Sequence, residues 1–558
     1  MLIAGAIQLV VGAKEVGVTT DEPAQALRTQ GWLDDGWFLP PLSMAGLFPK
    51  SPYIYGPAFS ATAHALNGLL GNESRGSISF SKDAWTVRHL VAALLAVAAA
   101  LAAYLTVWST TGSRKFGLWA AAALLAVPIW TGMGFFNPKD IPAAAGYTMF
   151  TAGLVLALAG SADSRTSVTR GVGIGALVGL GVFFAAGTRL ALWLPLTASL
   201  VTYAAIVVAR RRFTAAKPDR VRFRSIALGL AAGVGAMVAI YPSVFEQPVD
   251  FLTKTLSGSA DFPWTGATLT AGRLVSEDPP WWYLPTWAFA SMPVLISVLG
   301  LFGAGVTVWS IFRRSTGGAG ALARALSAPR DLALLLVIQQ AVLVSFGSVV
   351  LGSNMYSGLR QHLYVVPAMA ILAGIGGWRL WEYLNRRGLA ASWHRGALAG
   401  LLCAALVIPM AEQTLLFPYN YTYINPIAGI GGINGRWETD YWWASGRNAL
   451  QRVPAGEQVR CSSQLDADGA PGGAFGSLGC LFSLQFAPYV DEQGQEADQT
   501  PAKPDGNWTI GRSRAGAQPP AFCRSQDNVT RWLRGESVLM SWVLLCDRSG
   551  SGSSAAGE

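Results

Sequence analysis

Residues 91–108, VAALLAVAAALAAYLTVW, form an apolar run of 18 residues without a charged side chain. A transmembrane helix needs about 20 apolar residues, so this run is close to membrane-spanning length. Ten further apolar runs occur before Leu416, although the first, Met1–Ala13, is short for a span. The chain of 558 residues is 52% hydrophobic and 13% charged, about half the charged fraction of a soluble protein. The sequence therefore predicts a mostly α-helical, polytopic membrane protein with about eleven spans.

Basic side chains occupy every second loop between these runs. Examples are Arg114 with Lys115, the cluster at 210–224, and Arg386 with Arg387. The positive-inside rule makes those loops cytoplasmic, which leaves the other loops and the C-terminus outside. We therefore expect a multi-pass protein of the cytoplasmic membrane that carries its distinctive polar residues on the outer face. The basic loops also account for the net charge of +9, which argues against nucleic-acid binding.

Two regions are expected along the chain. Residues 1–416 form the membrane domain, with a long first outer loop at 14–88, and residues 417–558 form an extracytoplasmic region. Strand-like segments there indicate a small α/β domain, with a disordered tail after about residue 548. The same region holds four of the five cysteines: Cys461, Cys480, Cys523 and Cys546. In an exported domain they favour two disulfides, with three possible pairings, and free thiols are the alternative.

The stretch 19–23, TTDEP, places two adjacent carboxylates just past the first apolar run. A carboxylate beside the membrane can act as a general base toward an acceptor hydroxyl. Asp21 and Glu22 are the candidates, because each raises the pKa of the other and one can help to hold the acceptor. The same residues also look like a helix start with proline in the first turn, so a capping role is the alternative.

Charged side chains also lie at the mouths of later spans. Lys139 and Asp140 follow Asn137-Pro138, and charges beside a membrane span are usually functional or paired. Lys139 can hold a phosphate as a point charge, or it can pair with Asp140 to close a hairpin of spans. Arg189 and the triplet Arg360-Gln361-His362 can reach a lipid phosphate, or they can anchor the chain by snorkelling.

An aromatic and polar string follows the last span, from Phe417 to Trp443. Aromatic rings stack on sugar rings, and amide and carboxylate groups bond sugar hydroxyls. The candidates for such sugar binding are Tyr423, Asn425, Glu438 and Asp440. The alternative is packing of the outer domain onto the membrane domain, and we expect a mixed role.

Three motifs, in this order, resemble bacterial multi-span glycosyltransferases related to protein O-mannosyltransferases and lipid A aminoarabinose transferases. They are Asp21-Glu22-Pro23, Asn137-Pro138-Lys139-Asp140-Ile141-Pro142, and the string from Pro418 to Trp442. The resemblance covers the chain to about Trp443 and implies the C-type glycosyltransferase fold.

The resemblance implies a polyprenyl-phosphate sugar as donor and a glycan, lipid or protein acceptor outside the membrane. It gives Asp21 the role of catalytic base, Glu22 a supporting role at the acceptor, and Lys139 and Arg360 the donor phosphate. These cations can stabilise a phosphate leaving group, so no metal or other cofactor is expected. The outer loops lack an evident β-trefoil insertion, a departure from the protein mannosyltransferases that puts a protein acceptor in doubt.

Two other classes of function are open. A transporter or flippase of lipid-linked sugars places ionisable groups near mid-membrane and often has repeated halves. Gln339-Gln340 within a span favours it, whereas the span centres are nearly free of charge and no repeat is evident. A non-catalytic assembly protein with a sugar-binding outer domain is the third class.

Overall fold

A computed structural model describes residues 1–40, 51–160, 167–214, 219–262, 266–276, 278–316, 320–386, 392–454, 457, 459–462, 508–512, 519 and 523–546. The predictions about Cys480 and about the tail after residue 548 lie outside these residues, as does the side chain of Cys461.

The described chain is mostly α-helical. Its first ten helices are α1 (Leu2–Glu15), α2 (Glu22–Asp35), α3 (Ala58–Leu69), α4 (Lys82–Thr111), α5 (Arg114–Ala126), α6 (Pro128–Gly134), α7 (Asp140–Ala159), α8 (Val168–Thr188), α9 (Trp193–Thr214) and α10 (Arg220–Ile240). The next eight are α11 (Pro248–Ala260), α12 (Tyr283–Ala290), α13 (Val294–Ser315), α14 (Ala321–Leu326), α15 (Pro329–Val350), α16 (Val365–Arg386), α17 (Ser392–Leu416) and α18 (Gly446–Leu450).

Eight helices of the described chain are long and apolar enough to cross a membrane: α4, α7, α8, α9, α10, α13, α15 and α17. The pair α5 and α6 adds a ninth if its 69° bend is counted within one span. Helix α1 has 14 residues and is therefore only about 21 Å long, and α16 does not belong to this set. The protein is thus a polytopic helical membrane protein, and the count of eleven spans stays a prediction.

Helix α7 is the centre of the membrane domain, with 94% of its apolar window buried inside the protein. Glycines allow it to pack against α8 with the two backbones nearly in contact. A Cβ on Gly146 would lie 2.4 Å from the amide nitrogen of Ala185, and a Cβ on Gly181 would lie 2.6 Å from that of Phe150. Small residues at such crossings are the usual means of close packing between membrane helices.

The two ends of α7 differ in their surroundings. Its last turn meets Arg222, whose guanidinium donates to the carbonyl oxygens of Ala157 and Gly160 at 3.1 Å each. Arg222 belongs to a basic cluster that the positive-inside rule assigns to the cytoplasm. The first turn of α7, at Asp140, meets the loops that the same rule assigns to the outer side.

The C-terminal region contains a five-stranded sheet with order β3-β4-β7-β5, and β6 also pairs with β7. A separate hairpin, β1 with β2, precedes α12. The strands are β1 (Thr268–Thr270), β2 (Arg273–Val275), β3 (Val459–Ser462), β4 (Trp508–Arg512), β5 (Cys523–Ser525), β6 (Val529–Leu533) and β7 (Glu536–Cys546). Strands β3 and β4 are parallel and the other pairs are antiparallel. A disulfide between Cys523 and Cys546 joins β5 to β7, which confirms one of the two expected disulfides, and the second stays a prediction.

The crossing of α7 and α8 can be tested with two glycines of the same helix. Gly181→Ala places a methyl group against the backbone of Phe150, and we expect it to destabilise the protein by about 1–3 kcal/mol. Gly173→Ala is the control, because its Cβ meets nothing within 4 Å and alanine favours a helix. Melting temperatures of the two variants in detergent are the measurement. Equal melting temperatures would contradict the close packing described here.

Candidate active site

The start of α2 separates the two adjacent carboxylates. Glu22 accepts hydrogen bonds from the amide (2.7 Å) and the hydroxyl (2.9 Å) of Thr19, which resembles a capping box. Its other oxygen lies 2.6 Å from Nε2 of His89 on α4. Asp21 makes no side-chain cap to its own helix, so its carboxylate is directed elsewhere. Glu22 therefore holds the turn, as the capping alternative expects. In the described part of the chain it makes no hydrogen bond or ion pair with Lys139, Arg189 or Arg360.

The turn before α7 is built by Asn137. Its side-chain oxygen accepts from the amides of Lys139 (3.0 Å) and Asp140 (2.8 Å), and its amide donates to Asp140 (2.9 Å). Asparagine commonly closes turns through bonds of this kind. The turn fixes Lys139 and Asp140 at the helix start, where a carboxylate is also favoured by the helix dipole.

Asp21 meets two cations at a single oxygen. Lys139 Nζ lies 2.6 Å and Arg360 Nη1 lies 2.9 Å from Asp21 Oδ2. Arg360 also lies 3.8 Å from Asp140, and Asp140 pairs with Arg189. These five residues form what we call the Asp21 cluster. Within the described residues no hydrogen bond or ion pair reaches Asp21 Oδ1. The side chain of Asp21 is 28% exposed to solvent.

The charges of the cluster determine the protonation states of Asp21 and of the neighbouring His362. Burial raises the pKa of Asp21, but Lys139 and Arg360 outweigh that effect and hold it below the usual range of an aspartate. Burial and the nearby Arg189 lower the pKa of His362 to about 3. At neutral pH Asp21 is therefore ionised, whereas His362 is neutral and can act only as a hydrogen-bonding group.

Three aromatic rings surround the cations of the cluster. The ring centre of Tyr55 lies 5.1 Å from Lys139 Nζ and 5.6 Å from the Arg189 guanidinium. The ring of Tyr356 lies 4.8 Å and that of Trp442 4.7 Å from the Arg360 guanidinium. Cations at such distances are attracted to the faces of the rings. The sequence predicts that these aromatic residues lie in polar loops, but it does not indicate which of them face the cations.

The charges around Asp21 do not cancel. Arg28, two turns further along α2, lies over the same Tyr55 ring at 5.2 Å and brings a fourth cation. The three cations of the Asp21 cluster, Lys139, Arg189 and Arg360, face the two carboxylates of Asp21 and Asp140, which leaves an excess of one positive charge within the cluster. A buried excess of positive charge is a site for an anion.

A cavity adjoins the cluster on the side of Arg189. It encloses roughly 570 Å³ of empty space, part of it open to the outside, and its polar lining includes His362, Ser259, Ser348 and Ser353. The Nε atoms of Arg189 and Arg360 are buried and have no hydrogen-bond partner in the described part of the chain. An unmade hydrogen bond of a buried charged donor is costly, so both N–H groups favour an acceptor supplied from outside the chain.

Tyr423 and Asn425 do not reach the cluster. The Tyr423 hydroxyl donates to Glu412 at 2.9 Å, and the Asn425 amide donates to the carbonyl oxygen of Phe289 at 2.6 Å. Both side chains are buried and bonded inside the protein. Their contacts correspond to the packing alternative, and sugar binding by these two residues stays a prediction.

Glu438 and Asp440 also lie outside the cluster and bond the chain itself. Glu438 accepts from the amide of Leu269 in β1 at 2.9 Å. Asp440 accepts from the hydroxyls of Tyr421 and Ser445 and from two backbone amides. These two carboxylates shape the loops around the cluster, and their expected contacts with sugar hydroxyls stay a prediction.

Comparisons with known proteins give structural neighbours only: no protein-family model and no curated protein matches the sequence. ArnT, an aminoarabinose transferase, from Cupriavidus metallidurans in the apo state has 14% identity and TM-score 0.46, with 92% of each chain covered. The same protein bound to undecaprenyl phosphate has 14% identity and TM-score 0.43, with 97% of each chain covered. An oligosaccharyltransferase from Archaeoglobus fulgidus, in complex with Zn and sulfate, has 14% identity and TM-score 0.40, over 82% of this chain and 56% of that chain. The aminoarabinose transferases are one of the groups that the sequence motifs resemble, but similarity at this level carries no conclusion about activity.

The ion pairs of Asp21 predict an acid-dependent loss of stability. A carboxylate whose folded pKa is depressed stabilises the protein above its unfolded pKa, near 3.9, and loses that contribution as the pH falls. We expect Asp21→Asn to lower stability at pH 7 by about 2–3 kcal/mol, since it leaves two cations without their carboxylate. The variant should also lose less stability than wild type between pH 6 and pH 3.

Melting temperatures in detergent across that pH range are the measurement. Asp250→Asn is the control, because Asp250 pairs with Lys254 on the exposed face of α11, where an ion pair contributes little. Identical acid dependence in wild type and Asp21→Asn would contradict the ion pairs described here.

Proposed function

We propose that this protein is a membrane glycosyltransferase that moves a sugar from a polyprenyl-phosphate sugar to an acceptor hydroxyl. The transfer takes place at the outer face of the cytoplasmic membrane and inverts the anomeric centre. One observation carries the proposal: Asp21, with Oδ1 unbonded by the described residues, lies between Lys139 and Arg360 in a cluster with excess positive charge. A base and an anion site side by side are what transfer from a lipid phosphate requires.

The donor phosphate is proposed to bind between Arg189 and Arg360. Their unpartnered Nε–H groups supply donors, and guanidinium groups suit phosphate oxygens. The donor is a phosphodiester with one negative charge, which matches the excess of one positive charge in the cluster. The lipid phosphate released has up to two negative charges, and by then Asp21 has become neutral by taking the acceptor proton. The serine hydroxyls and neutral His362 of the adjoining cavity are placed to bond the sugar or the phosphate.

Asp21 is proposed to act as the base through Oδ1, while Oδ2 stays with the cations. The low pKa of Asp21 in the free protein makes it a weak base. A bound phosphate competes for Lys139 and Arg360, and their weaker hold on Asp21 raises its pKa toward a useful range. The donor therefore prepares the base, which favours binding of the donor before the acceptor reacts.

The chemical step is a single displacement. The acceptor oxygen forms a bond to the anomeric carbon as the bond from that carbon to the phosphate oxygen breaks. The hydroxyl proton passes to Asp21 Oδ1, and the bonding electron pair leaves with the lipid phosphate. Attack from the face opposite the leaving group inverts the anomeric centre. Lys139, Arg189 and Arg360 stabilise the leaving phosphate, so the proposal needs no metal ion.

The flippase alternative depended on Gln339-Gln340 within a span. The Gln340 amide donates at 3.0 Å to the hydroxyl of Thr148 and to the carbonyl oxygen of Tyr364, inside the helix bundle. These bonds support a packing role for Gln340. A radiolabelled polyprenyl-phosphate sugar, supplied to membranes with and without the protein, separates the three classes of function. Transfer to an acceptor supports the proposal, movement of label across the membrane without transfer supports a flippase, and neither supports an assembly protein.

Asp21→Asn tests the base directly. We expect at least a thousandfold loss of transfer, within the range that general-base catalysis and charge stabilisation together contribute, with binding of polyprenyl phosphate retained. Asp34→Asn is the matched control, because Asp34 lies on the exposed side of the same helix. Full activity of Asp21→Asn would end the assignment of Asp21 as base.

Arg189→Gln tests the anion site. Hydrogen bonds to a charged group contribute about 1.5–3 kcal/mol, so we expect the donor KM to rise about 10- to 100-fold. Arg386→Gln, at an exposed arginine on α16, is the control and should leave the donor KM unchanged. An unchanged donor KM in Arg189→Gln would place the phosphate elsewhere.

A further inference from the structure

The ring of Trp442 covers the two cations that hold Asp21. Its centre lies 4.7 Å from the Arg360 guanidinium and 5.6 Å from Lys139 Nζ, and the side chain is 2% exposed. The backbone oxygen of Trp442 also accepts a hydrogen bond from the amide of Thr20, at 3.0 Å. Trp442 thus contacts the partners of Asp21 through its ring and the residue before Asp21 through its backbone.

The loop that carries Trp442 is held by the C-terminal sheet. Ser541 on β7 accepts from the indole of Trp443 at 2.9 Å and bonds the hydroxyl of Ser445. On the same strand, the carbonyl oxygen of Leu539 accepts from the hydroxyl of Thr439 at 2.9 Å. Arg512 on β4 donates to the carbonyl oxygen of residue 441 at 2.8 Å. The sheet therefore contacts the loop on both sides of Trp442.

The backbone of this loop has a conformation that needs such support. Trp443 has φ of 58°, in the left-handed region that bulky side chains rarely adopt. Residues in this region persist where the surrounding structure fixes them, and they cluster at functional sites. Here the bonds from Trp443 to Ser541 and from Ser445 to Asp440 fix it.

We propose that Trp442 is a positioning residue and that strands β4 and β7 are the template that places it. The sheet orders the loop, the ring of Trp442 confines Lys139 and Arg360, and those cations orient Asp21. This gives the C-terminal domain a role in catalysis without any contact with the substrate. The enzymatic part of the inference rests on the proposed function.

The inference predicts how the pH dependence of transfer changes. The ionisable groups packed in and around the Asp21 cluster are Lys139, Arg360, Arg189, Arg28, Asp140, Tyr55 and Tyr356. When the ring is lost, Lys139 and Arg360 are less confined and offset less of the effect of burial on Asp21. The pKa of Asp21 then rises, so the acid limb of the profile of kcat/KM for the acceptor, measured at saturating donor, moves to higher pH.

The experiment compares Trp442→Leu, Trp442→Phe and Ser541→Ala with wild type. We expect Trp442→Leu to lower kcat/KM about tenfold or more and to move the acid limb to higher pH. Trp442→Phe keeps an aromatic face, so its kcat/KM and its acid limb should lie close to those of wild type. Ser541→Ala should shift the acid limb in the same direction as Trp442→Leu, but by less. Ser537→Ala is the control, because Ser537 lies on the same strand with its side chain exposed. An unmoved acid limb in Trp442→Leu, or a Phe variant no better than Leu, would overturn the inference.

A double-mutant cycle in melting temperature tests the same coupling without any activity. We expect Trp442→Leu to lower the melting temperature of wild type more than that of Asp21→Asn, because the ring acts through the partners of Asp21. Equal effects in the two backgrounds would overturn the inference. A wild type that transfers no sugar but shows the coupling would contradict the proposed function and leave the positioning role supported.

Discussion

Two cations, Lys139 and Arg360, share one carboxylate oxygen of Asp21. The helices and loops of the membrane domain are arranged so that these three side chains meet. Lys139 and Arg360 are more than 200 residues apart in the sequence, and both are nearly buried, with 7% and 3% of their side chains exposed. Buried charged side chains such as these are stable only where an opposite charge or a ligand pairs with them. The packing of α7, the turn at Asn137 and the loop before Arg360 together satisfy that condition at one end of the helix bundle.

In the proposed mechanism, the same pairing makes the site reactive only when the donor is bound. In the free protein the cations keep Asp21 ionised and weakly basic, and the excess of positive charge has no counter-ion within the described cluster. The proposed lipid phosphate would satisfy both conditions, because it would balance the charge and draw the cations from the carboxylate. The C-terminal sheet adds to this arrangement through Trp442, whose loop is bonded to β4 and β7.

Much of the site could be predicted from the sequence, because charged side chains at the ends of apolar spans are costly to remove from water. Asp21, Lys139, Arg189 and Arg360 could be selected for that reason, and the alternation of basic loops placed them on one side. The contact between Glu22 and His89 was not accessible, since it joins the start of α2 to a polar position within α4 and depends on tertiary packing. Tyr423, Asn425, Glu438 and Asp440 were assigned to a sugar because aromatic and polar residues serve packing and sugar binding equally well. The sequence does not single out Trp442 in the same segment, because a sequence does not show which aromatic ring faces a cation.

The central claim is that the lipid phosphate and Asp21 share the same cations. The most direct measurement is a structure of the protein with polyprenyl phosphate bound in a lipid environment. The account predicts that the phosphate oxygens lie within hydrogen-bond distance of the Nε atoms of Arg189 and Arg360, with Lys139 displaced toward the phosphate. A phosphate bound elsewhere, with the ion pairs of Asp21 unchanged from the free protein, would contradict it.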